Sequence, residues 1–204
     1  MKSVVVGVHL HREDIHVDAV AAGDLWYSVV EVDDDHPLAD RDLVLRVAKI
    51  RAELLDRATF IAVRYGFVVG LSGAAAPPPP QWRTILEANR TNVEMTLKVA
   101  SSTPAPRPNR KDFQSGASYL RALHDSAASI DDDFKHAAEK AVNPIESRWL
   151  PRDNASLEMA ALIPRARIEE VRTAGEQLKR DFPRVPFLLS GPWPLEVFAN
   201  ADCE

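Results

Sequence analysis

Apolar positions along this chain fall into short runs divided by acidic and proline-rich punctuation, and the spacing inside each run predicts its secondary structure. Val4-Val5-Val6-Gly7-Val8 is β-branched and predicts a strand, and 25–32 (LWYSVVEV) predicts a second. A polar stretch with His9, His11 and His16 lies between them, and the acidic turn Asp33-Asp34-Asp35-His36-Pro37 ends the second strand. Leu43, Val47, Ile50 and Leu54 recur at helical spacing, which predicts a helix over 43–58 with Asp40 and Asp42 at its N-terminus. Residues 59–69 (TFIAVRYGFVV) form another apolar, β-rich segment, interrupted at Gly66 by a bulge or turn.

Four consecutive prolines, Pro77 to Pro80, favour a polyproline II conformation and predict a surface spacer. A helix is expected over 81–90, with Trp82, Ile85 and Leu86 on one side. Val93, Met95, Leu97 and Val99 alternate with Glu94, Thr96 and Lys98, the period of a half-buried strand. Beyond a proline-containing loop at 101–110, a long helical region is expected over 113–147, broken near Ser129-Ile130-Asp131. A strand over 156–163, a helix over 165–180 and a nearly all-apolar strand over 185–189 complete the pattern. From Val93 the order is strand, helical segment, strand, helix, strand, close to a βαββαβ arrangement. The expected fold class is therefore α+β with two small domains, an N-terminal one over 1–90 and a C-terminal, modified ferredoxin-like one over 91–204. The Pro77–Pro80 stretch is the rival boundary.

The 204 residues are 46% hydrophobic and 27% charged, ordinary for a globular protein with a real core. A net charge of −5 argues against nucleic acid as the main partner, since phosphate binding needs concentrated Lys and Arg. The one cysteine, Cys203, has no partner for an internal disulfide, and a reducing, cytoplasmic location is the natural expectation. Neither a secretory leader nor an apolar run of membrane-spanning length is evident.

Candidate chemistry is sparse. His9 and His11 share a face if the first strand extends through them, and His9, His11, Asp14 and His16 could suggest a metal site. No third ligand is evident, so solvated edge residues are expected. Arg64, inside an apolar run, needs a partner or a route to water, and a carboxylate inside the domain is the expected partner. The triplets Asp33–Asp35 and Asp131–Asp133 lack the spacing of a calcium loop. No GxSxG, HExxH, P-loop or GxGxxG motif occurs, so no catalytic residue, cofactor or metal is assigned and no enzyme activity is expected. Pro192 and Pro194 stiffen the tail, which should leave the last strand as an extended strap whose Trp193 and Phe198 pack onto the body.

That tail, FLLSGPWPLEVF at 187–198, resembles the C-terminal signature of the gas vesicle synthesis proteins of the GvpF/GvpL family, in which an apolar strand runs into Gly-Pro-Trp-Pro-Pro-Tyr-Ser-Phe. Gly191, Pro192, Trp193, Pro194 and Phe198 match; Leu195-Glu196-Val197 replace Pro-Tyr-Ser. In the same order along the chain, 60–68 is similar to the family's PVRFGTV segment, 94–99 to its EWxVKV strand, 115–120 to its GxxYL helix start and 157–165 to its FLVPR strand. The resemblance implies a non-enzymatic accessory protein of gas vesicle assembly. It would bind the small, very apolar shell protein, sibling accessory proteins, or both, in the cytoplasm and in association with the vesicle. Gly191, Pro192, Trp193, Pro194 and Phe198 are the candidate protein-binding residues. The alternative is a diverged ferredoxin-like ligand-binding or regulatory module unrelated to gas vesicles.

Overall fold

In a computed structural model, residues 1–70, 75–100, 109–125, 132–153 and 156–199 are described. The chain divides into two compact units, Met1–Val93 with Trp193–Glu204, and Glu94–Pro192. The expected division at residue 90 placed the whole tail with the second domain, whereas here the chain from Trp193 onward belongs to the first.

The first unit is built around β1 (Lys2–His9), in which Val4, Val5, Val6 and Val8 have no exposed surface. Consecutive buried valines mean that both faces of the strand are covered. β2 (Ala19–Ala22) and β3 (Leu25–Val32) form an antiparallel hairpin across Gly23-Asp24, with Gly23 at φ 68°. β3 pairs antiparallel with β1, and the register shifts between Val5 and Gly7. On the other side of β1, β4 (Ile61–Ala62) pairs with Gly7 and Val8, and β5 (Val68–Gly70) pairs with Lys2 to Val4. The apolar run 59–69 is thus two short strands, and Gly66, at φ 91°, makes the break between them.

α1 (Arg41–Leu55) begins at Asp40, whose carboxylate accepts from the Leu43 N–H at 2.9 Å. It packs on β1 and buries Leu43, Val47, Leu54 and Leu55. Pro77, Pro79 and Pro80 of the expected surface spacer are exposed, but the stretch is also tied to this unit. Pro78 and Ala75 are buried, the Tyr27 hydroxyl donates to the Ala76 carbonyl at 3.0 Å, and Pro80 precedes α2 (Gln81–Ala88). Prolines have no side-chain freedom to lose on burial, so they can serve as packing material as well as spacers.

In the second unit the sheet order is β7-β8-β6-β9, from β6 (Asn92–Ala100), β7 (Glu146–Asp153), β8 (Ser156–Pro164) and β9 (Phe187–Trp193). Numbered within the unit, that is 2-3-1-4. With α3 (Gly116–Asp125) and α4 (Asp132–Val142) between β6 and β7, and α5 (Ile168–Asp181) between β8 and β9, it is the expected ferredoxin-like arrangement with one extra helix. Met95, Leu97, Val99, Met159 and Ile163 of the sheet are buried, as are Phe134, Ala138, Val171 and Leu178 of the helices. Phe134 lies edge-on to Phe182 at 5.3 Å and tilted to Phe187 at 5.4 Å.

Two expectations change here. The helix expected to reach 147 ends at Val142: Asn143 takes φ 45°, Pro144 cannot extend the helix, and β7 begins at Glu146. A nearly all-apolar strand is expected to be covered on both faces, which the last strand is not. It is an edge strand, with Leu188 60% exposed, because its apolar character is used on one side only. On that side Leu189 lies against Gly175, where a Cβ would come within 2.5 Å of the leucine Cδ2.

Gly7 sets the tolerance of the first sheet. A Cβ there would overlap the Phe60 ring and lie 3.1 Å from the Ile61 carbonyl oxygen. Gly7→Ala should therefore lower the unfolding free energy by about 2 kcal/mol. The expected readout is a lower urea midpoint at unchanged slope.

Candidate protein-interaction site

Gly191 and Pro192 are the last residues of the second unit, and a cis peptide bond joins them. Gly191 sits at φ 124°, and a Cβ would lie 2.8 Å from the Met95 sulfur and 3.0 Å from the Glu94 carbonyl oxygen. No other residue fits this approach. The Gly191 carbonyl accepts from Arg172 Nη2 at 3.1 Å.

Trp193 and Pro194 open the part of the tail that belongs to the first unit. The strap continues as a β-like extension: the Leu195 N–H donates to the Phe60 carbonyl at 2.9 Å, and the Ala62 N–H donates to the Leu195 carbonyl at 3.1 Å. Leu195 and Ile61 thus form a parallel bridge on the side of β4 away from β1. The family signature carries proline at this position, and proline could not make the first of these bonds. Leu195 is fully buried, Phe198 is 6% exposed, and the Trp82 indole N–H donates to the Ala199 carbonyl at 3.2 Å. Burying Leu195 and Phe198 contributes roughly 1.5–3 kcal/mol each.

The two expected anchors of the strap therefore part company. Phe198 packs into the first unit, whereas Trp193 remains 47% exposed. The knob that fixes the strap is Leu195, one of the residues that depart from the family signature. Its place in the alternation after two prolines was the only sequence sign of that role.

Among the described residues no group of three His, Cys, Asp or Glu side chains could hold a metal ion. The histidines do not share a strand face, because β1 ends at His9. His9 is also no solvated edge residue. It has no exposed surface, stacks on Phe60 at 5.2 Å, and places Nε2 3.3 Å from the Ser28 hydroxyl, while Nδ1 is buried without a partner. Burial, aided by the charge of His16, lowers its pKa from 6.5 to about 3.

Arg64 is exposed, and no carboxylate among the described residues pairs with it; its backbone carbonyl accepts from Phe67. The side chain reaches water, the other route open to a cation in an apolar run. A half-buried cation of this unit is Arg51 of α1. Its Nε donates to the Val6 carbonyl at 3.0 Å and its Nη2 to the Val63 carbonyl. Burial lowers its pKa, and the charge of Glu196 on the tail opposes that shift. Helical spacing alone could not single out Arg51 among the exposed arginines of α1.

Of the acidic triplets, Asp34 receives the N-terminal amine at 2.8 Å, and Asp132 and Asp133 occupy the first turn of α4, where the helix dipole favours them. Asp131 and Cys203 lie outside the described residues. No helix among the described residues is long and apolar enough to cross a membrane.

These features define a two-unit α+β protein, with a ferredoxin-like second unit and a tail that returns to complete the first. Residues 8–199 match the gas vesicle synthesis protein GvpL/GvpF family, and the chain belongs to it. Among solved structures it is similar to gas vesicle protein GvpF from Microcystis aeruginosa, at 12% identity and a TM-score of 0.61, covering 93% of this chain and 95% of that one. It is also similar to GvpF from Anabaena sp. PCC7120, at 10% identity and a TM-score of 0.56, covering 93% and 94%. No curated protein matches it by sequence. Family membership decides against the alternative of a module unrelated to gas vesicles and supports a role in gas vesicle formation.

Two stability predictions follow from the buried polar groups. The folded state resists protonating His9 down to about pH 3, whereas the unfolded chain protonates it near 6.5. Its contribution is therefore full above pH 6.5 and is lost as pH falls from there towards 3, by about 1.4 kcal/mol per pH unit. Replacing it in His9→Leu should remove that component, so chemical denaturation of wild type and variant should diverge in slope over this window. Arg51→Met deprives the Val6 and Val63 carbonyls of a charged donor and should cost about 1–3 kcal/mol at neutral pH.

Proposed function

We propose that the protein acts in gas vesicle assembly by binding the small apolar shell subunit, and that Trp193 is the contact residue of the tail. The observation that carries this reading is the division of labour within the tail. Leu195 and Phe198 are buried as anchors, while the indole beside them stays half in water between Pro192 and Pro194. A rigidly mounted, exposed tryptophan loses little entropy on binding and offers a large apolar face, the usual profile of an interface hot spot. An unassembled shell subunit exposes apolar surface that needs cover. Of the five candidate binding residues, Gly191, Pro192 and Pro194 shape the strap and Phe198 secures it. Binding to sibling accessory proteins would use the same kind of surface. A cytoplasmic, vesicle-associated location and a non-catalytic role belong to this reading.

The test separates contact from anchor. Trp193→Ser should reduce retention of co-expressed shell protein at least about tenfold, with the melting temperature unchanged. Phe198→Ala should lower the melting temperature through a loss of about 3–5 kcal/mol. Unaltered retention by Trp193→Ser would move the contact elsewhere, and failure of the wild-type chain to retain any gas vesicle protein would remove the reading altogether.

A further inference from the structure

The first unit also holds a cavity of about 180 Å³ beside the 3-10 turn at Arg12–Asp14. Its apolar lining includes Leu10 and Leu86, both nearly buried. Its charged lining is Arg57, Arg90 and Asp14, with His11 beside them. With His11 neutral, the lining carries one net positive charge in a chain whose net charge is −5.

Arg57 and Arg90, like the exposed Arg64, have a charge that no carboxylate among the described residues balances; what sets them apart is that both line one cavity. Four other surface arginines are committed: Arg83 to Asp24 at 2.6 Å and Glu87 at 3.0 Å, Arg148 to Glu146 at 2.7 Å, Arg167 to Glu170 at 2.7 Å and Arg172 to Glu169 at 2.6 Å. No carboxylate among the described residues lies within ion-pair distance of Arg57 or Arg90. Both follow helix C-termini, where a cation would ordinarily serve the orphan carbonyls. Those carbonyls are already engaged. The Leu54 carbonyl accepts from the Arg57 and Ala58 N–H groups at 3.0 and 2.9 Å. The Ile85 carbonyl accepts from the Asn89 backbone at 3.1 Å and from its side-chain amide at 2.9 Å. Two exposed arginines thus line one small cavity with an apolar wall, and no carboxylate among the described residues engages their donors.

We infer that this cavity binds a carboxylate carried on a short aliphatic stem. Guanidinium groups present paired N–H donors that match a carboxylate, and Leu10 and Leu86 would shelter the stem. Asp14 is the opposing element: its charge weakens binding and excludes multiply charged anions. The same chemistry could come from a free branched-chain acid or from the C-terminal carboxylate of a peptide ending in an aliphatic residue. The inference does not rest on the tail or on the shell-protein reading.

The experiment is a titration of the full chain, followed by backbone amide shifts, with isovalerate, inorganic phosphate, and one peptide ending in valine as free acid and as amide. Isovalerate is expected to saturate, with a Kd on the order of a millimolar, and phosphate to bind at least tenfold more weakly. Arg57→Gln and Arg90→Gln should each weaken isovalerate about tenfold or more, and Asp14→Asn should tighten it several-fold, all three at unchanged melting temperature. A free-acid peptide that binds while its amide does not identifies a protein C-terminus as the source; exclusion of both peptides identifies a small acid. No saturation by isovalerate, equal binding of phosphate, or indifference to both arginine substitutions would overturn the inference.

Discussion

The first unit depends on the close approach of β4 to β1 at Gly7. Because that position carries no side chain, the Phe60 ring can lie over the strand, stack on His9 and bring Ile61 and Ala62 into register with Val8 and Gly7. Everything on that side of the sheet is placed by this contact. Phe60 and Ala62 present the backbone groups that Leu195 uses, and Arg51 reaches from α1 to the carbonyls of Val6 and Val63 flanking the same strand. A two-residue strand has too few ladder bonds to hold itself. It is stable here because it is pinned on both edges, by β1 and by the tail, and because its own Ile61 and the adjoining Phe60 and Leu195 are all fully buried.

How much of this was legible in the sequence follows from which signals are local. Period-two spacing located β6 and helical spacing located α1, because those elements bury one face each, and the strand–helix order from β6 onward gave the ferredoxin-like unit. β7 was missed because Glu146, Arg148 and Trp149 mix polar and aromatic character, although Asn143-Pro144 marked the preceding stop. β2 was missed because alanines carry little strand propensity, although Gly23-Asp24 was a hairpin signal. Non-local facts were beyond reach. The burial of His9 depends on Phe60, fifty-one positions later (60 − 9). The exposure of Trp193 against the burial of Phe198 depends on where Leu195 pairs, which no spacing within the tail encodes.

Both sheet edges of the second unit carry proline, Pro151 in β7 and Pro192 in β9. Proline blunts an edge against strand addition. In the role proposed above, this weakens edge pairing as the means of binding and favours side-chain contacts of the kind Trp193 offers. It also bears on solubility, since a blunted edge recruits no further strands.

The bridge at Leu195 has a consequence for the order of events during synthesis. The first unit receives its last strand-like segment only after all of Glu94–Pro192 has been made. At roughly 5–20 residues per second, that is an interval on the order of 5–20 s in which β4 lacks a partner on one edge. Throughout it, the Phe60 carbonyl and the Ala62 N–H stand ready for a strand that has not yet emerged. The tail thus closes the first unit and marks its completion, so a chain halted before residue 195 would leave that edge open to quality control.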